Sequence, residues 1–81
     1  MKLTLLYFAH LVERTGTREE TRDVPAGCTA AKLRDVLRAA HPGLGDALAA
    51  CRIAIDEEFS DDGAVLQDGQ TVAFIPPVSG G

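Results

Sequence analysis

The residues with the clearest chemical potential lie at the end of the chain, where an apolar segment is followed by PPVSGG. Glycine has no side chain to pack, and it lets a backbone pass close to the walls of a narrow channel. Six extended residues can reach about 20 Å, at roughly 3.3 Å per residue. The pattern predicts a tail over 76–81 that presents the α-carboxylate of Gly81 to another protein. A terminus that frays without a function is the alternative.

Such a carboxylate could carry sulfur. ATP would first activate it as an acyl adenylate, and a sulfur nucleophile would then displace AMP and leave a thiocarboxylate. Its sulfur is ionised at neutral pH and is more nucleophilic than oxygen. Neither step requires a catalytic side chain on the carrier, and the chain contains neither a phosphate-binding GxxxxGK[ST] motif nor a GxSxG motif. We therefore expect a carrier rather than an enzyme with its own closed pocket.

Composition narrows the class of protein further. The 81 residues leave room for one domain, and a net charge of −4 argues against a nucleic-acid partner. No segment approaches the roughly 20 apolar residues that a membrane span needs. Cys28 and Cys51 are expected to be reduced thiols in the cytoplasm, and with His10 and His41 they are too few and too scattered for a metal site.

The first part of the chain predicts two paired strands. Residues 2–8 (KLTLLYF) are apolar at nearly every position, which is typical of a central strand. A short helical turn over 9–15 should end at Gly16 in a left-handed conformation. The charged segment 18–24 follows closely, and it predicts an exposed antiparallel edge strand.

One longer helix is expected after this hairpin. Thr29 is a suitable N-cap for a helix over 30–41. Apolar residues recur along it with helical spacing, which predicts one buried stripe made of Leu33, Val36, Leu37 and Ala40.

Two further strands are predicted after the helix. Residues 51–55 (CRIAI) alternate, and residues 71–75 (TVAFI) are apolar and end at a Pro-Pro pair. The acidic segment 56–62 between them is interpreted as a solvated turn, with contact to a basic partner as the alternative. If the first and last strands pair at the centre, the order indicates an α+β fold of the β-grasp type, with a mixed sheet over one main helix. The domain would span 1–75 and the tail 76–81.

The whole chain resembles the small subunit of molybdopterin synthase, a ubiquitin-like sulfur carrier. The matching segments are LLYFAHLVE, TAAKLRDVL and the closing DGQTVAFIPPVSGG, of which PPVSGG after an apolar strand is the most specific. A Gly-Gly end alone would also fit a sulfur carrier for thiamine synthesis or tRNA thiolation, or a ubiquitin-like protein modifier. With Lys2 and Lys32 as its only lysines, the chain has few acceptors for forming polymers of itself.

The resemblance implies a set of partners. An E1-like enzyme would adenylate Gly81, and a sulfur-donor system would convert it to the thiocarboxylate. The tail would enter the large subunit of a heterotetrameric synthase and give sulfur to a pyranopterin precursor, forming the dithiolene. The chain would bind no cofactor itself, since ATP is used by the adenylating partner. It would be the non-catalytic donor subunit of a heteromeric sulfurtransferase, and the guided tail would consist of Pro76, Pro77, Val78, Ser79 and Gly80.

Aromatic residues are candidates for a docking surface, because aromatic anchors often dominate interfaces. We expect Phe8, Phe59 and Phe74 to contact partners. Core packing is the alternative for Phe8 and Phe74, whereas the acidic surroundings of Phe59 favour exposure.

Overall fold

The computed structural model of the protein describes residues 1–77. These residues form five strands, two α-helices and two short 3₁₀ turns. In chain order they are β1 (Lys2–Tyr7), α1 (Leu11–Thr15), β2 (Glu19–Asp23), α2 (Ala30–Ala40), the 3₁₀ turns Pro42–Leu44 and Ala47–Ala50, β3 (Arg52–Ile55), β4 (Glu58–Ser60) and β5 (Thr71–Ile75).

The strands make one mixed sheet in the order β2-β1-β5-β3-β4. β1 and β5 pair in parallel near the centre, with Leu5 opposite Val72, while the other neighbouring strands are antiparallel. The predicted pairing of the first and last strands is confirmed. A mixed sheet of this order with one main helix is an α+β, β-grasp fold, as expected.

The core lies between the sheet and α2. Leu33 and Leu37 of the helix are fully buried, together with the inward side chains of β1, β3 and β5. The helix begins as predicted, because the Thr29 hydroxyl accepts a hydrogen bond from the Lys32 N–H at 3.2 Å.

The predicted apolar stripe of α2 is confirmed for Leu33 and Leu37 but not in full for its other two members. Ala40 is exposed and Val36 is half-buried, whereas Ala30 at the start of the helix is buried. Leu44 and Leu48 of the 3₁₀ turns are fully buried and supply apolar side chains to the core where Ala40 does not. The 3₁₀ turns therefore extend the apolar layer beyond the end of α2.

The acidic segment contains a strand that the sequence did not predict. Glu58–Ser60 pairs antiparallel with β3, and Asp56 and Glu57 form the tight turn between the two strands. β4 has only three residues and all of them are exposed, so its polar–apolar–polar sequence is too short to predict a strand. The prediction of a solvated turn throughout 56–62 is therefore wrong for 58–60.

Candidate functional site

The predicted tail begins at Pro76, directly after the end of β5. Ile75, the last residue of β5, lies opposite Arg52 at the start of β3. Pro76 is half-buried and Pro77 is exposed. β1 runs parallel to β5 and ends at the same edge of the sheet. Four predicted tail residues lie outside the described part of the chain, namely Val78, Ser79, Gly80 and Gly81.

Beside this edge, the face of the sheet opposite α2 carries an apolar row. The strand registers place Leu6 next to Ala73, Ala73 next to Ala54, and Ala54 next to Phe59. The row thus crosses four strands. It forms the floor of a depression of about 500 Å³, lined by Leu6, Phe8, Ala54, Asp56, Glu57, Phe59, Thr71, Ala73 and Ile75. We call this depression the apolar face.

Two of the three aromatic residues predicted to contact partners, Phe8 and Phe59, lie on this surface. Phe8 is 45% exposed and Phe59 is 56% exposed, and both line the apolar face. Large exposed apolar side chains gathered around one depression are typical of an interaction site. The structure therefore supports an interface role for these two residues, which stays a prediction.

Phe74 does not belong to this surface, and its prediction as a partner-binding residue is wrong. Its side chain is fully buried and stacks on the Tyr7 ring, with the ring centroids 6.2 Å apart. Ala73 and Ile75, its neighbours along β5, line the opposite face. Since successive side chains of a strand alternate between faces, Phe74 must point towards α2.

The sequence-based prediction of this site did not include a positively charged residue, Arg52. Arg52 is exposed, and its Cζ lies 3.7 Å from the centroid of the Phe59 ring. It lies on the same face as Ala54, two residues along β3, so strand alternation could have found it. Arg52 therefore lies beside both the apolar face and Ile75, the last residue before the predicted tail.

Carboxylates border the apolar face at its other end. The Asp56 carboxylate accepts a hydrogen bond from the Thr71 N–H at 2.9 Å, and the Asp56 N–H donates to the Thr71 carbonyl at 2.8 Å. These bonds fasten the β3–β4 turn to the start of β5. Glu57 is exposed next to it. The apolar face thus has Arg52 near the tail and two carboxylates away from it.

A polar cluster lies at the edge of the core, around Glu20. Its carboxylate accepts hydrogen bonds from the Tyr7 hydroxyl at 3.1 Å and from Arg22 Nε at 2.9 Å. Burial by itself raises the pKa of Glu20, but the hydrogen bonds with His41, Arg22 and Tyr7 hold that pKa below its ordinary value. Burial, and then the neighbouring Glu20 carboxylate, raise the pKa of Tyr7.

The cysteines take no part in the apolar face. Cys28 and Cys51 are unpaired, as the sequence predicts, and both are buried, with 5% of each exposed. Burial raises the pKa of both thiols, which disfavours the reactive thiolate.

Two further classes of feature are absent from residues 1–77. No helix there is long and apolar enough to cross a membrane. Nor do three or more His, Cys, Asp or Glu side chains gather in that part of the chain to hold a metal ion.

A β-grasp domain whose last strand leads into a Gly-Gly end defines a protein of the ubiquitin-like class. The chain belongs to the ThiS family, whose model matches residues 5–81. It is 40% identical to the molybdopterin synthase sulfur carrier subunit of Homo sapiens, with 99% of this chain and 94% of that protein covered. The corresponding subunit of Chlamydomonas reinhardtii is 37% identical, and both chains are covered completely.

Structural comparison agrees with the sequence relatives. The crystal structure of small archaeal modifier protein 1 from Haloferax volcanii superposes with a TM-score of 0.87 at 26% identity, covering 95% of this chain and 98% of that one. The resemblance to molybdopterin synthase small subunits, and with it the role of sulfur carrier, is confirmed.

Proposed function

We propose that this sulfur carrier works through the α-carboxylate of Gly81, which is loaded with sulfur by one partner and unloaded within another. The observation that carries the proposal is the full-length match to sulfur carrier subunits of molybdopterin synthase, together with a β5 strand that leads directly into PPVSGG. Within residues 1–77 the last core residue is Phe74, and we propose that the residues after β5 make their contacts outside the domain.

Sulfur is loaded onto Gly81 in two steps. The Gly81 carboxylate attacks the α-phosphorus of ATP, giving the acyl adenylate and pyrophosphate. A sulfur-donor system then delivers a sulfur nucleophile to the acyl carbon, and AMP leaves as the thiocarboxylate forms. An E1-like adenylating enzyme supplies the ATP site, and this chain supplies only the acyl group. Buried thiols with raised pKa values make Cys28 and Cys51 poor internal nucleophiles towards the adenylate.

Unloading takes place in the synthase large subunit. The thiocarboxylate sulfur attacks a carbon of the pyranopterin precursor and displaces an oxygen substituent from it. Hydrolysis of the resulting thioester then leaves the sulfur on the pterin and returns the Gly81 carboxylate. Two such transfers build the dithiolene. A heterotetramer of two small and two large subunits fits this use, because each carrier inserts one tail into one large subunit.

The apolar face is the surface we assign to the large subunit. Phe8 and Phe59 supply exposed aromatic anchors, and the row from Leu6 to Ala54 supplies a flat apolar floor between them. Ile75, the last residue before the tail, lines the same depression. A partner that covers this face would thus also receive the tail. We expect the adenylating enzyme to compete for it, since one tail cannot occupy two channels at once.

We place these reactions in the cytoplasm. Both cysteines are unpaired, which fits a reducing compartment.

Intact mass spectrometry tests the proposal. Protein incubated with the adenylating enzyme, ATP and a sulfur donor should gain a species in which one oxygen at the C-terminus is replaced by sulfur. That species, mixed with the large subunit and the pyranopterin precursor, should yield molybdopterin. A chain that remains a carboxylate under these conditions would contradict the proposal.

A second candidate function is attachment to other proteins. The structural similarity to a small archaeal modifier protein, at 26% identity, favours it. In that case Gly81 would form an isopeptide bond with lysines of target proteins. Tryptic peptides with a C-terminal remnant of this chain on a lysine would identify such targets, and their absence from cells that accumulate the thiocarboxylate would exclude this function.

A further inference from the structure

Arg52 is held at the junction between the apolar face and the tail. It is the first residue of β3 and lies opposite Ile75, the residue before the Pro-Pro pair. Its guanidinium packs on the Phe59 ring, with Cζ 3.7 Å from the ring centroid. An arginine stacked on an aromatic ring keeps its N–H groups available at the edge of the guanidinium plane. The contact therefore holds a cation at a defined place.

The other arginines with close polar contacts serve the fold instead. Arg22 pairs with Glu20 at 2.9 Å, and Arg34 pairs with Asp62 at 3.0 Å. Within residues 1–77, by contrast, Arg52 has no carboxylate within the 4.0 Å limit for an ion pair, and its side chain makes no hydrogen bond. Its donors thus have no partner within that part of the chain.

The reach of the tail determines what that group can be. Six residues from Pro76 to Gly81 extend over about 20 Å at roughly 3.3 Å each. Arg52 stands at the beginning of this length, so a tail extended into a channel carries its terminal carboxyl away from the guanidinium. The adenylate and the thiocarboxylate are thus out of its reach, and its ligand must lie at the entrance of the channel.

We propose that Arg52 is a specificity-determining residue that binds a carboxylate at the mouth of the tail channel in the synthase large subunit. The fork of N–H donors in a guanidinium matches a carboxylate, with which it can form two hydrogen bonds. Glu57 and Asp56 carry the opposite charge at the far end of the apolar face. Acidic residues at the mouth of the channel would therefore attract the end of the apolar face that carries Arg52. They would repel the end that carries Asp56 and Glu57.

This inference rests on the proposed insertion of the tail into the large subunit. Its test is the affinity of the full-length chain for that subunit, measured by titration calorimetry at two salt concentrations. At about 0.1 M NaCl, where the Debye length is about 10 Å, Arg52→Glu should weaken binding by about tenfold or more. At about 1 M NaCl, where that length is about 3 Å, the loss should fall below about threefold.

Two further variants separate charge from packing. Arg52→Met keeps an apolar side chain over Phe59, and it should weaken binding by about threefold at low salt because only the attraction is removed. Arg38→Glu makes the same charge reversal at an exposed position on α2, on the other side of the sheet. It should change the affinity by less than about twofold.

The outcomes distinguish the proposed role of Arg52 from the proposed transfer of sulfur in the large subunit. If the wild-type chain binds and Arg52→Glu binds equally well, or loses affinity equally at both salt concentrations, the role of Arg52 is overturned and the sulfur-transfer proposal stands. If the wild-type chain does not bind the large subunit, both are overturned. Replacing the acidic residues around the channel mouth one at a time by Arg should find one that restores binding of Arg52→Glu, and failure of every replacement would also overturn the assignment.

Discussion

The carboxylate of Glu20 lies 2.6 Å from Nε2 of His41, and this contact joins the edge strand β2 to the residue that ends α2. The His41 ring also meets Tyr7 edge to face, with the ring centroids 6.0 Å apart. One partly buried carboxylate thus links strand, helix end and core. Because its hydrogen bonds favour the ionised form, the cluster should stabilise the fold most when Glu20 is charged.

The first prediction concerns the pH dependence of this link. Since the pKa of Glu20 is lowered in the folded state, its contribution is fully present above its ordinary value of 4.5 and is lost as the pH falls through the folded value. Glu20→Gln should therefore lower the free energy of unfolding by about 1 kcal/mol at neutral pH. The deficit should shrink towards zero in acid.

Urea unfolding at a series of pH values measures this effect. Glu19→Gln, a neutralisation at an exposed position of the same strand, serves as the control and should change stability by less than about 0.5 kcal/mol. A deficit for Glu20→Gln that stayed constant down to the acid limit would show that shape, not charge, matters there.

Local signals predicted most of the fold. The apolar runs of β1 and β5 indicated two central strands, and Thr29 and Gly16 marked helix boundaries that the structure places where they were expected. These features depend on neighbours in the chain, so a single sequence carries them. β4 was missed because three exposed residues are too few to show the two-residue period of a strand.

The site was harder to predict, because burial depends on which face of the sheet the helix covers. Phe8 and Phe74 are both aromatic residues near the ends of central strands, yet Phe8 is exposed and Phe74 is in the core. Alternation separates the two faces of a strand but does not say which one α2 covers. The meeting of Arg52 with Phe59 likewise depends on the register between β3 and the unpredicted β4.

The second prediction concerns Arg34, which connects α2 to the segment before β3. Its guanidinium donates to the carbonyl of Leu48 and to that of Cys51, the latter at 2.9 Å, and its side chain is 13% exposed. Arg34→Met would leave these carbonyls without their donor and should lower the free energy of unfolding by about 2–4 kcal/mol. Chemical denaturation measures the loss.

Arg38→Met is the matched control for Arg34, because Arg38 is exposed on the same helix. It should change stability by less than about 0.5 kcal/mol. Equal losses for the two variants would mean that Arg34 acts through helix propensity rather than through the carbonyls it binds.

The third prediction separates interface from core among the phenylalanines. Phe59→Ala removes an exposed ring and should cost about 1 kcal/mol or less in stability, including its contact with Arg52. Binding to the large subunit should weaken by about tenfold or more, as for an aromatic anchor. Phe74→Ala leaves a cavity in the core and should cost about 3–5 kcal/mol.

Thermal unfolding and calorimetric binding, measured on the same preparations, test this separation. Ser60→Ala, at the neighbouring exposed position of β4, controls for changes to that strand. Unchanged affinity of Phe59→Ala for the large subunit would remove Phe59 from the interface.

The fourth prediction concerns the turn between β3 and β4. Asp56 and Glu57 have φ values of +48° and +72°, which is the left-handed region where a side chain is strained. This two-residue connection suits Asp-Gly in a hairpin. Glu57→Gly should relieve the strain and raise the free energy of unfolding by about 0.5–1 kcal/mol. Glu58→Gly, in the adjacent strand, should lower it, because glycine weakens a strand interior. Equal destabilisation by both variants in urea would contradict this account.

The last prediction concerns the end of the chain. Within residues 1–77 the last fully buried residue is Phe74 and β5 ends at Ile75, so we expect the residues beyond the Pro-Pro pair to add little to the packing of the domain. Deleting Gly81 should abolish thiocarboxylate formation and dithiolene synthesis, because the reacting carboxylate would move to Gly80 and stop one residue short in the partner's channel. The midpoint of thermal unfolding should stay within about 3 °C, since a surface change of less than about 0.5 kcal/mol shifts it by no more than that in a domain of this size. Ser79→Ala is the matched control and should retain loading, because it keeps the chain length and the Gly-Gly end. A large drop in the unfolding temperature on deletion of Gly81 would instead mean that the tail packs against the domain, and that its role is structural as well as chemical.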